Sequence, residues 1–203
     1  MDIYLIRHGE TDWNRMKKLQ GTTDIPLNAY GIELAEKTAE GLKDVPFDCI
    51  YTSPLIRARK TAEIIRRDRP IEIIETDGLK EISFGDYEGL CYLPDNYTIP
   101  KPGFRKFFDD PEHYDTPPHG ESLLHLRERT SSFVRSIMDD PANENMTFLM
   151  TAHGAAIRGI LSGLQNLPLA EFWSGPVHKN CGVTKLHVEH GKFNIEFENR
   201  LYY

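Results

Sequence analysis

Several features that mark other protein classes are scarce in this sequence of 203 residues. Its three cysteines, Cys49, Cys91 and Cys181, are too few and too scattered for a disulfide framework or a zinc ligand set. No apolar run approaches the ~18 residues of a membrane span, and the first residues lack the basic region of a secretory signal. The formal net charge of −7 disfavours nucleic acid and anionic membranes as partners. We therefore expect a cytoplasmic protein whose partner is a small molecule; its oligomeric state stays open.

What the sequence does have is an alternation of apolar strands and amphipathic helices. The apolar stretches 2–7, 47–53, 71–76 and 146–152 indicate buried strands. Between and after them, helical spacing predicts helices over 27–42, 53–67, 121–137 and 155–164. Alternation on both sides of His190 and Gly191 predicts an edge hairpin. The fold class that follows is α/β, a three-layer α/β/α sandwich with a mainly parallel sheet.

Two helix starts carry specific signals. Asn28 is a plausible N-cap for a helix whose apolar face would include Ile32, Ala35, Ala39 and Leu42. The next helix is expected to have Ser53 as its N-cap, with Pro54 at its first helical position.

Residues 84–119 interrupt the alternation, and we call them the cap segment. Six of the 13 prolines of the chain fall between positions 94 and 118. This composition predicts a small inserted cap on a single domain that spans residues 1–203. Its aromatic residues could contact an apolar or ring-bearing substrate or could simply pack the cap: Tyr97, Phe104, Phe107, Phe108 and Tyr114. Its clustered cations could contact a second anionic group of a substrate or could be solvated: Lys101, Arg105 and Lys106.

The residues that follow the predicted strands concentrate the chemistry. Ligands of open α/β sheets bind at the carboxyl ends of strands. At those ends the chain places Arg7, His8 and Gly9, then Thr52 and Ser53, then His153 and Gly154. A lone histidine at a strand end is usually structural, but the repeated His-Gly pair favours a functional role. Each glycine would let a ligand approach the backbone closely and would leave an N–H group free beside the imidazole.

Charged residues near these histidines indicate a site that binds an anion rather than a metal ion. The histidines lack a metal-ligand spacing, and Arg7 would repel a cation, so we expect no metal and no cofactor. Arg57 lies in the first turn of a helix, where a cation opposes the helix dipole unless it faces a bound anion. Arg7 and Arg57 could then clamp a phosphate, with Glu81 as candidate general acid. Arg59 and Glu88 are interpreted as surface charges.

Five motifs together resemble one known family. The stretches "RHGET" with Asn14, "SPLIRARKTA", "KEISFGDYEG", "GES" and "TAHG" occur in the order found in the histidine phosphatase superfamily, the phosphoglycerate mutase-like proteins. The resemblance implies that His8 is the phosphorylated nucleophile and Glu81 the proton donor. It also implies that the phosphoryl group is held by Arg7, Asn14, Arg57, His153 and Gly154.

The resemblance covers both phosphatases and mutases. The mutases have a longer insertion with a basic cluster, and an asparagine where this chain has Ala155. Both departures favour a phosphoric monoester hydrolase of the histidine acid type, which would act on a small phosphomonoester such as a sugar phosphate or a ribazole-type nucleotide phosphate. The alternatives are mutase-type phosphoryl transfer and a non-catalytic protein that binds a phosphorylated ligand. The last would be expected to lack a nucleophile, clamp or acid residue, and all are present.

Overall fold

A six-stranded sheet organises the structure, a computed structural model that describes residues 1–100, 102–176 and 178–203. The strands are β1 (Asp2–Arg7), β2 (Cys49–Thr52), β3 (Ile73–Glu75), β4 (Thr147–Ala152), β5 (Val183–Glu189) and β6 (Lys192–Arg200). Their spatial order is β3-β2-β4-β1-β5-β6. The first four run parallel, whereas β5 pairs antiparallel with both β1 and β6. The mainly parallel sheet predicted from the sequence is confirmed.

Helices cover both faces of this sheet. The short α1 (Asp12–Arg15) follows β1, and the four long helices are α2 (Ala29–Gly41), α3 (Ile56–Arg66), α5 (Leu123–Met138) and α6 (Gly154–Leu164). Side chains of a strand point alternately to its two faces, so Ile3 and Leu5 of β1 belong to the cluster with α5 and α6. Tyr4 and Ile6 belong to the cluster on the opposite face with α2 and α3. The molecule is thus the predicted three-layer α/β/α sandwich.

The edge hairpin forms where the sequence predicts it. Glu189 pairs with Lys192, which leaves His190 and Gly191 as the two turn residues. Both have positive φ, 51° and 71°. Two left-handed residues give a two-residue turn the twist that suits antiparallel strands, and glycine adopts this conformation without steric cost.

The inward face of α2 differs from the prediction at one residue. Asn28 caps this helix as expected, because its Oδ1 accepts a hydrogen bond of 2.8 Å from the N–H of Gly31. Leu34, Ala35 and Ala39 are buried, but Ile32 is 37% exposed and its assignment to the core is wrong. Residues two positions apart on a helix do not share a face, and burial of Leu34 therefore turns Ile32 outward.

The start of α3 also corrects the prediction. The helix begins at Ile56 with Leu55 as its N-cap, and no side chain of the cap residue bonds to its first turn. Instead Asp24, from a distant loop, accepts a hydrogen bond of 2.7 Å from the N–H of Ile56, which satisfies one of the free donors of a helix start. Ser53 is therefore not the cap and Pro54 is not the first helical residue; the Ser53 hydroxyl instead accepts from the N–H of Leu55 at 3.3 Å, before the helix begins.

The cap segment contains short helical turns, including α4 (Lys106–Asp109), in its described residues. Phe84, Phe104, Phe107 and Tyr114 pack mostly edge to face, with ring centroids 5.1–5.8 Å apart, a favourable geometry for aromatic pairs. The division of the chain into one domain and a cap stays a prediction. In the described part of the chain, no helix combines the length and apolar character needed to cross a membrane.

Candidate active site

The predicted site residues surround one cavity of about 390 Å³ at the carboxyl ends of the parallel strands. It is lined by Arg7, His8, Asn14, Arg57, Glu81 and Gly154, among others. His153 is fully buried beside this wall, and the centroids of the His8 and His153 rings are 5.1 Å apart. The structure therefore brings together all seven residues that the sequence placed at the site, although their chemical roles remain predictions.

The imidazole of His8 is held in one tautomer. Its Nδ1 lies 2.6 Å from the backbone oxygen of Gly9. A carbonyl oxygen can only accept, so Nδ1 carries the proton and Nε2 keeps a lone pair. Burial, with the nearby charges of Arg57 and Arg7, lowers the pKa of His8 well below its usual 6.5. A neutral ring with a free nitrogen can act as a nucleophile at neutral pH.

Two arginines supply fixed positive charge, and backbone carbonyls hold both. Arg7 donates from Nη1 to the oxygen of His178 at 2.5 Å. Arg57 donates to the oxygens of Thr23 and Gly21 at 2.9 Å and 2.7 Å. Burial lowers the pKa of Arg57 to about 10, which still leaves it charged at neutral pH. In the described chain neither Nε has a hydrogen-bond partner, and such a clamp suits the oxygens of a phosphoryl group.

Glu81 lies at the N-terminus of α6. Its Oε1 accepts hydrogen bonds from the N–H groups of Ile82 and Ala156, both at 3.0 Å, and its Oε2 accepts from Ala155 at 3.3 Å. Burial raises the pKa of Glu81, and the N–H of Ile82 and the charge of Arg57 offset part of that rise. A carboxyl group with a raised pKa stays protonated to higher pH, as a general acid requires.

Asn14 and Gly154 complete the wall of the cavity. The Oδ1 of Asn14 lies within 3.3 Å of three donors, the N–H and hydroxyl of Thr11 and the Nδ2 of Asn180. This leaves the Nδ2 of Asn14 to donate to a ligand. A Cβ atom on Gly154 would come no closer than 3.7 Å to Arg7, so the site there is open.

Gly9 is required for a different reason from the one predicted. It is not among the residues that line the cavity. A Cβ atom at Gly9 would collide with the backbone oxygen of Gly31 at the start of α2. The close approach that needs glycine is therefore between two backbone segments and not between backbone and ligand.

Glu88 is partly buried and holds a loop of the site, so it is not the surface charge expected from the sequence. Its carboxylate accepts from the N–H groups of Thr22, Thr23 and Phe84 at 2.8–3.1 Å and from both threonine hydroxyls. The segment it holds supplies the carbonyl oxygens that anchor Arg57. Sequence reasoning missed this role because the contact joins loops about 65 residues apart. Arg59, in contrast, forms exposed ion pairs with Glu63 and Glu75, as expected for a helix charge.

In its described residues, the cap segment contributes aromatic rings to the cavity and no cation. Phe107 and Phe108 line the cavity, while Phe104 and Tyr114 pack within the cap. The Arg105 side chain is 70% exposed and pairs with Asp109. Lys106 is also exposed, neither cation lines the cavity, and Lys101 lies outside the described residues.

Other residues that line the cavity were not found from the sequence: Lys18, Phe84, Tyr92, Arg158 and Trp173. Lys18 is half-buried with its Nζ 5.6 Å from the centroid of the Trp13 ring. Arg158 is buried and paired with Glu198. Phe84 lies in the motif "KEISFGDYEG", from which only Glu81 was selected, and the other four neither follow a strand nor belong to a quoted motif.

One group of potential metal ligands occurs within the described ranges, and it lies away from this cavity. Asp2, His187 and Glu196 place their ligand atoms close together at the start of β1, the opposite end of that strand from His8. The Nζ of Lys185 lies 2.9 Å from Asp2 and 3.0 Å from Glu196. This lysine already forms ion pairs with both carboxylates, so the group is a surface ion-pair network.

Comparison with known proteins agrees with this geometry. The model of the histidine phosphatase superfamily, branch 1, matches residues 3–200. An uncharacterized phosphatase, PhoE, from Bacillus subtilis is 41% identical over 160 residues, which are 79% of this chain and 75% of the relative. A probable phosphoglycerate mutase, GpmB, from Escherichia fergusonii is 33% identical over 95% of this chain and 87% of its own length.

A solved structure shares the whole architecture. It is a phosphoserine phosphatase mutant from Entamoeba histolytica in complex with phosphoserine. The TM-score is 0.83 at 31% sequence identity, and the match covers 98% of this chain and 96% of that one. The chain belongs to the histidine phosphatase superfamily, branch 1, and it is similar to phosphatases and to phosphoglycerate mutase-like proteins alike.

Proposed function

We propose that the protein is a phosphatase that hydrolyses a small phosphomonoester through a phosphohistidine on His8. The observation that carries this proposal is one cavity that is lined by His8, whose Nε2 carries a lone pair, by two arginines anchored to backbone oxygens and by Glu81. Phosphoryl transfer depends mainly on positioning and on positive charge around the transferred group. The proposed reaction needs no metal ion, and we place the protein in the cytoplasm.

In the first step, Nε2 of His8 attacks phosphorus and the bond from phosphorus to the leaving oxygen breaks. Arg7, Arg57, His153 and the amide of Asn14 stabilise the charge on the three equatorial oxygens. Glu81 gives its proton to the leaving oxygen, so that the product departs as a neutral alcohol.

In the second step, water attacks phosphorus and the phosphorus–nitrogen bond of phosphohistidine breaks. Glu81, now a carboxylate, accepts a proton from that water. Inorganic phosphate leaves, and both His8 and Glu81 return to their starting protonation states. The cycle therefore balances without a co-reactant.

The outer part of the cavity supports a substrate with an apolar or ring-bearing leaving group. Phe107, Phe108 and Trp173 form part of this wall, and Phe108 is 44% exposed. Burial of such a side chain against a ligand contributes ~25 cal/mol per Å² of apolar surface. Mutase activity is less well supported, because the exposed Arg105 and Lys106 provide no basic cluster at the cavity. The finer designation as a histidine acid-type phosphatase stays a prediction, because the matched family model is that of branch 1.

The test is a panel of phosphomonoesters assayed with the purified protein, with EDTA present and with no added metal. Rapid quench with substrate labelled at phosphorus should trap an acid-labile phosphoenzyme. His8→Ala should lose both the trapped label and turnover, whereas the matched variant of an exposed histidine, His113→Ala, should keep both. Near wild-type turnover by His8→Ala would overturn the mechanism, and turnover that requires a bisphosphorylated primer would indicate a mutase.

A further inference from the structure

Ser53 touches the buried histidine of the site without lining the cavity. Its Oγ lies 2.8 Å from Nε2 of His153, and both residues have no exposed surface. The other ring nitrogen of His153, Nδ1, is buried and has no partner in the described chain. Because one nitrogen is occupied, Nδ1 is the atom with which His153 can reach a ligand.

The hydrogen bonds around Ser53 decide which way its own proton points. Its Oγ accepts from the N–H of Leu55 at 3.3 Å. Across the described residues the hydroxyl proton has no acceptor other than Nε2 of His153. A serine hydroxyl has one proton to donate, and donating it to Nε2 requires that Nε2 carry a lone pair.

The backbone that carries Ser53 is fixed by a second pair of buried hydroxyls. Thr52 donates from Oγ1 to the backbone oxygen of Ser53 at 3.0 Å. Thr151 in turn donates to Oγ1 of Thr52 at 2.8 Å. This arrangement joins the ends of β2 and β4, and it leaves the Ser53 side chain little freedom to turn away from His153.

We infer that Ser53 is a positioning residue that fixes His153 in the tautomer with its proton on Nδ1, and so makes that ring a hydrogen-bond donor to the phosphoryl group. The inference rests on the proposed function, because the acceptor it names is a phosphoryl oxygen. In the other tautomer Nδ1 would direct a lone pair at an anion and repel it. Burial and the charge of Arg57 lower the pKa of His153 well below 6.5. The neutral ring holds one proton, and its location decides whether His153 attracts or repels the ligand.

The direct test is the tautomer itself. Two-bond ¹H–¹⁵N correlation spectra of the histidine rings distinguish a protonated from an unprotonated nitrogen, and His153→Gln identifies the signals of His153. With inorganic phosphate as the probe, the wild-type protein should show the proton on Nδ1 at neutral pH. Ser53→Ala should move it to Nε2 or average the two forms. A wild-type proton on Nε2, or an unchanged spectrum in Ser53→Ala, would overturn the inference.

Steady-state kinetics provide a second, independent test of the role of Ser53. Ser53→Ala should lower kcat/KM by about 10- to 100-fold, the range expected when a hydrogen bond to a charged group is lost. The control is Ser162→Ala, which removes another fully buried hydroxyl from α6 and should stay within about twofold of wild type, because its Oγ contacts no site residue. Equal activity of the two variants would count against Ser53. If Ser53→Ala does not fold, the wild-type spectrum still decides. Absence of phosphatase activity in the wild type would overturn the proposed function but leave the tautomer measurable.

Discussion

At the scale of single residues, burial and hydrogen bonding shift the pKa of Glu81 in opposite directions. Burial raises the pKa of its carboxyl group, while three backbone N–H groups stabilise the carboxylate. The same donors hold the carboxyl at the start of α6 in either protonation state. A group that gives up and regains a proton in each cycle needs both forms to be accessible. The environment of Glu81 therefore suits the proposed role better than a salt bridge would.

Glu81→Gln tests this role through the leaving group. For an alkyl phosphate, whose leaving oxygen needs a proton, kcat/KM should fall by ~10²–10⁴-fold. For p-nitrophenyl phosphate, which releases a stable phenolate, the loss should be much smaller. Steady-state kinetics on both substrates give the comparison, and equal losses would show that Glu81 does not protonate the leaving group.

The pH dependence of wild-type turnover should also report the protonation state of Glu81. Turnover of an alkyl phosphate should fall as pH rises through the pKa of Glu81, which lies above 4.5, because the acid must be protonated. It should fall on the acid side only as pH approaches the pKa of His8, which lies well below 6.5, because the nucleophile must be neutral. Glu81→Gln should abolish the alkaline limb and leave the acid limb in place.

At the scale of elements, the loop from Gly21 to Thr23 links Glu88 to Arg57 of the proposed phosphate clamp. The guanidinium group of Arg57 keeps its position only while the carbonyl oxygens of this loop stay in place. Glu88 holds the loop through both of its carboxylate oxygens. The anchoring of Arg57 thus depends on three segments distant in sequence, and the carboxylate that connects them does not line the cavity.

Glu88→Gln should weaken both the loop and the site. The amide has one acceptor oxygen, so its NH₂ group would face the N–H of Thr22 or Thr23 as a second donor. An unsatisfied partly buried donor costs about 1–3 kcal/mol, and displacement of Arg57 by about 1 Å could lower kcat/KM by up to 10²-fold. Urea unfolding and kinetics measure the two effects. Glu36→Gln, at an exposed position on α2, is the control and should change neither. Wild-type kcat/KM in a stably folded Glu88→Gln would show that the loop does not position Arg57.

Periodicity and chain order account for what the sequence could predict at this scale. The parallel strands, the helices and the hairpin follow from local apolar patterns, and residues that end strands meet because such ends share one edge of the sheet. Ser53 follows β2 and could be located in this way, but the site roles of Glu88 and Lys18 depend on contacts between distant loops, which no local pattern encodes. The true start of α3 was hidden in the same way, because Asp24 supplies its cap from another segment.

At the scale of the whole molecule, three histidines are buried in neutral form near the cavity. Burial lowers the pKa of His178 to about 3 and lowers those of His8 and His153 well below 6.5. An unfolded chain restores ordinary histidine pKa values near 6.5. Below that pH the unfolded state therefore binds more protons than the native state, and protonation favours unfolding.

This imbalance predicts that the protein loses stability in mild acid. Between pH 7.5 and 5.5 the free energy of unfolding should decrease by on the order of 1 kcal/mol per buried histidine, a few kcal/mol in all. Glu81 contributes with the opposite sign, since its raised pKa makes the native state bind its proton more tightly than the unfolded chain. The exposed His113 and His119, whose pKa values are raised by Asp110 and Asp86, also oppose the trend. Both surface pairs are screened by solvent and should not reverse the trend.

Urea unfolding curves in phosphate-free buffer at several pH values measure this dependence, and His178→Gln isolates one contributor. In the native protein Nε2 of His178 lies 2.9 Å from Oγ1 of Thr184, a contact that glutamine can replace without titrating. Between pH 7.5 and 5.5, the free energy of unfolding of the variant should therefore decrease by about 1 kcal/mol less than that of the wild type, whatever its value at pH 7.5. His190→Gln changes a histidine whose side chain is 82% exposed and should keep the wild-type dependence. A free energy of unfolding that stays level, or rises, as the pH falls to 5.5 would mean that these histidines take up protons in the native state. The neutral His8 required for attack on phosphorus would then not be the resting form.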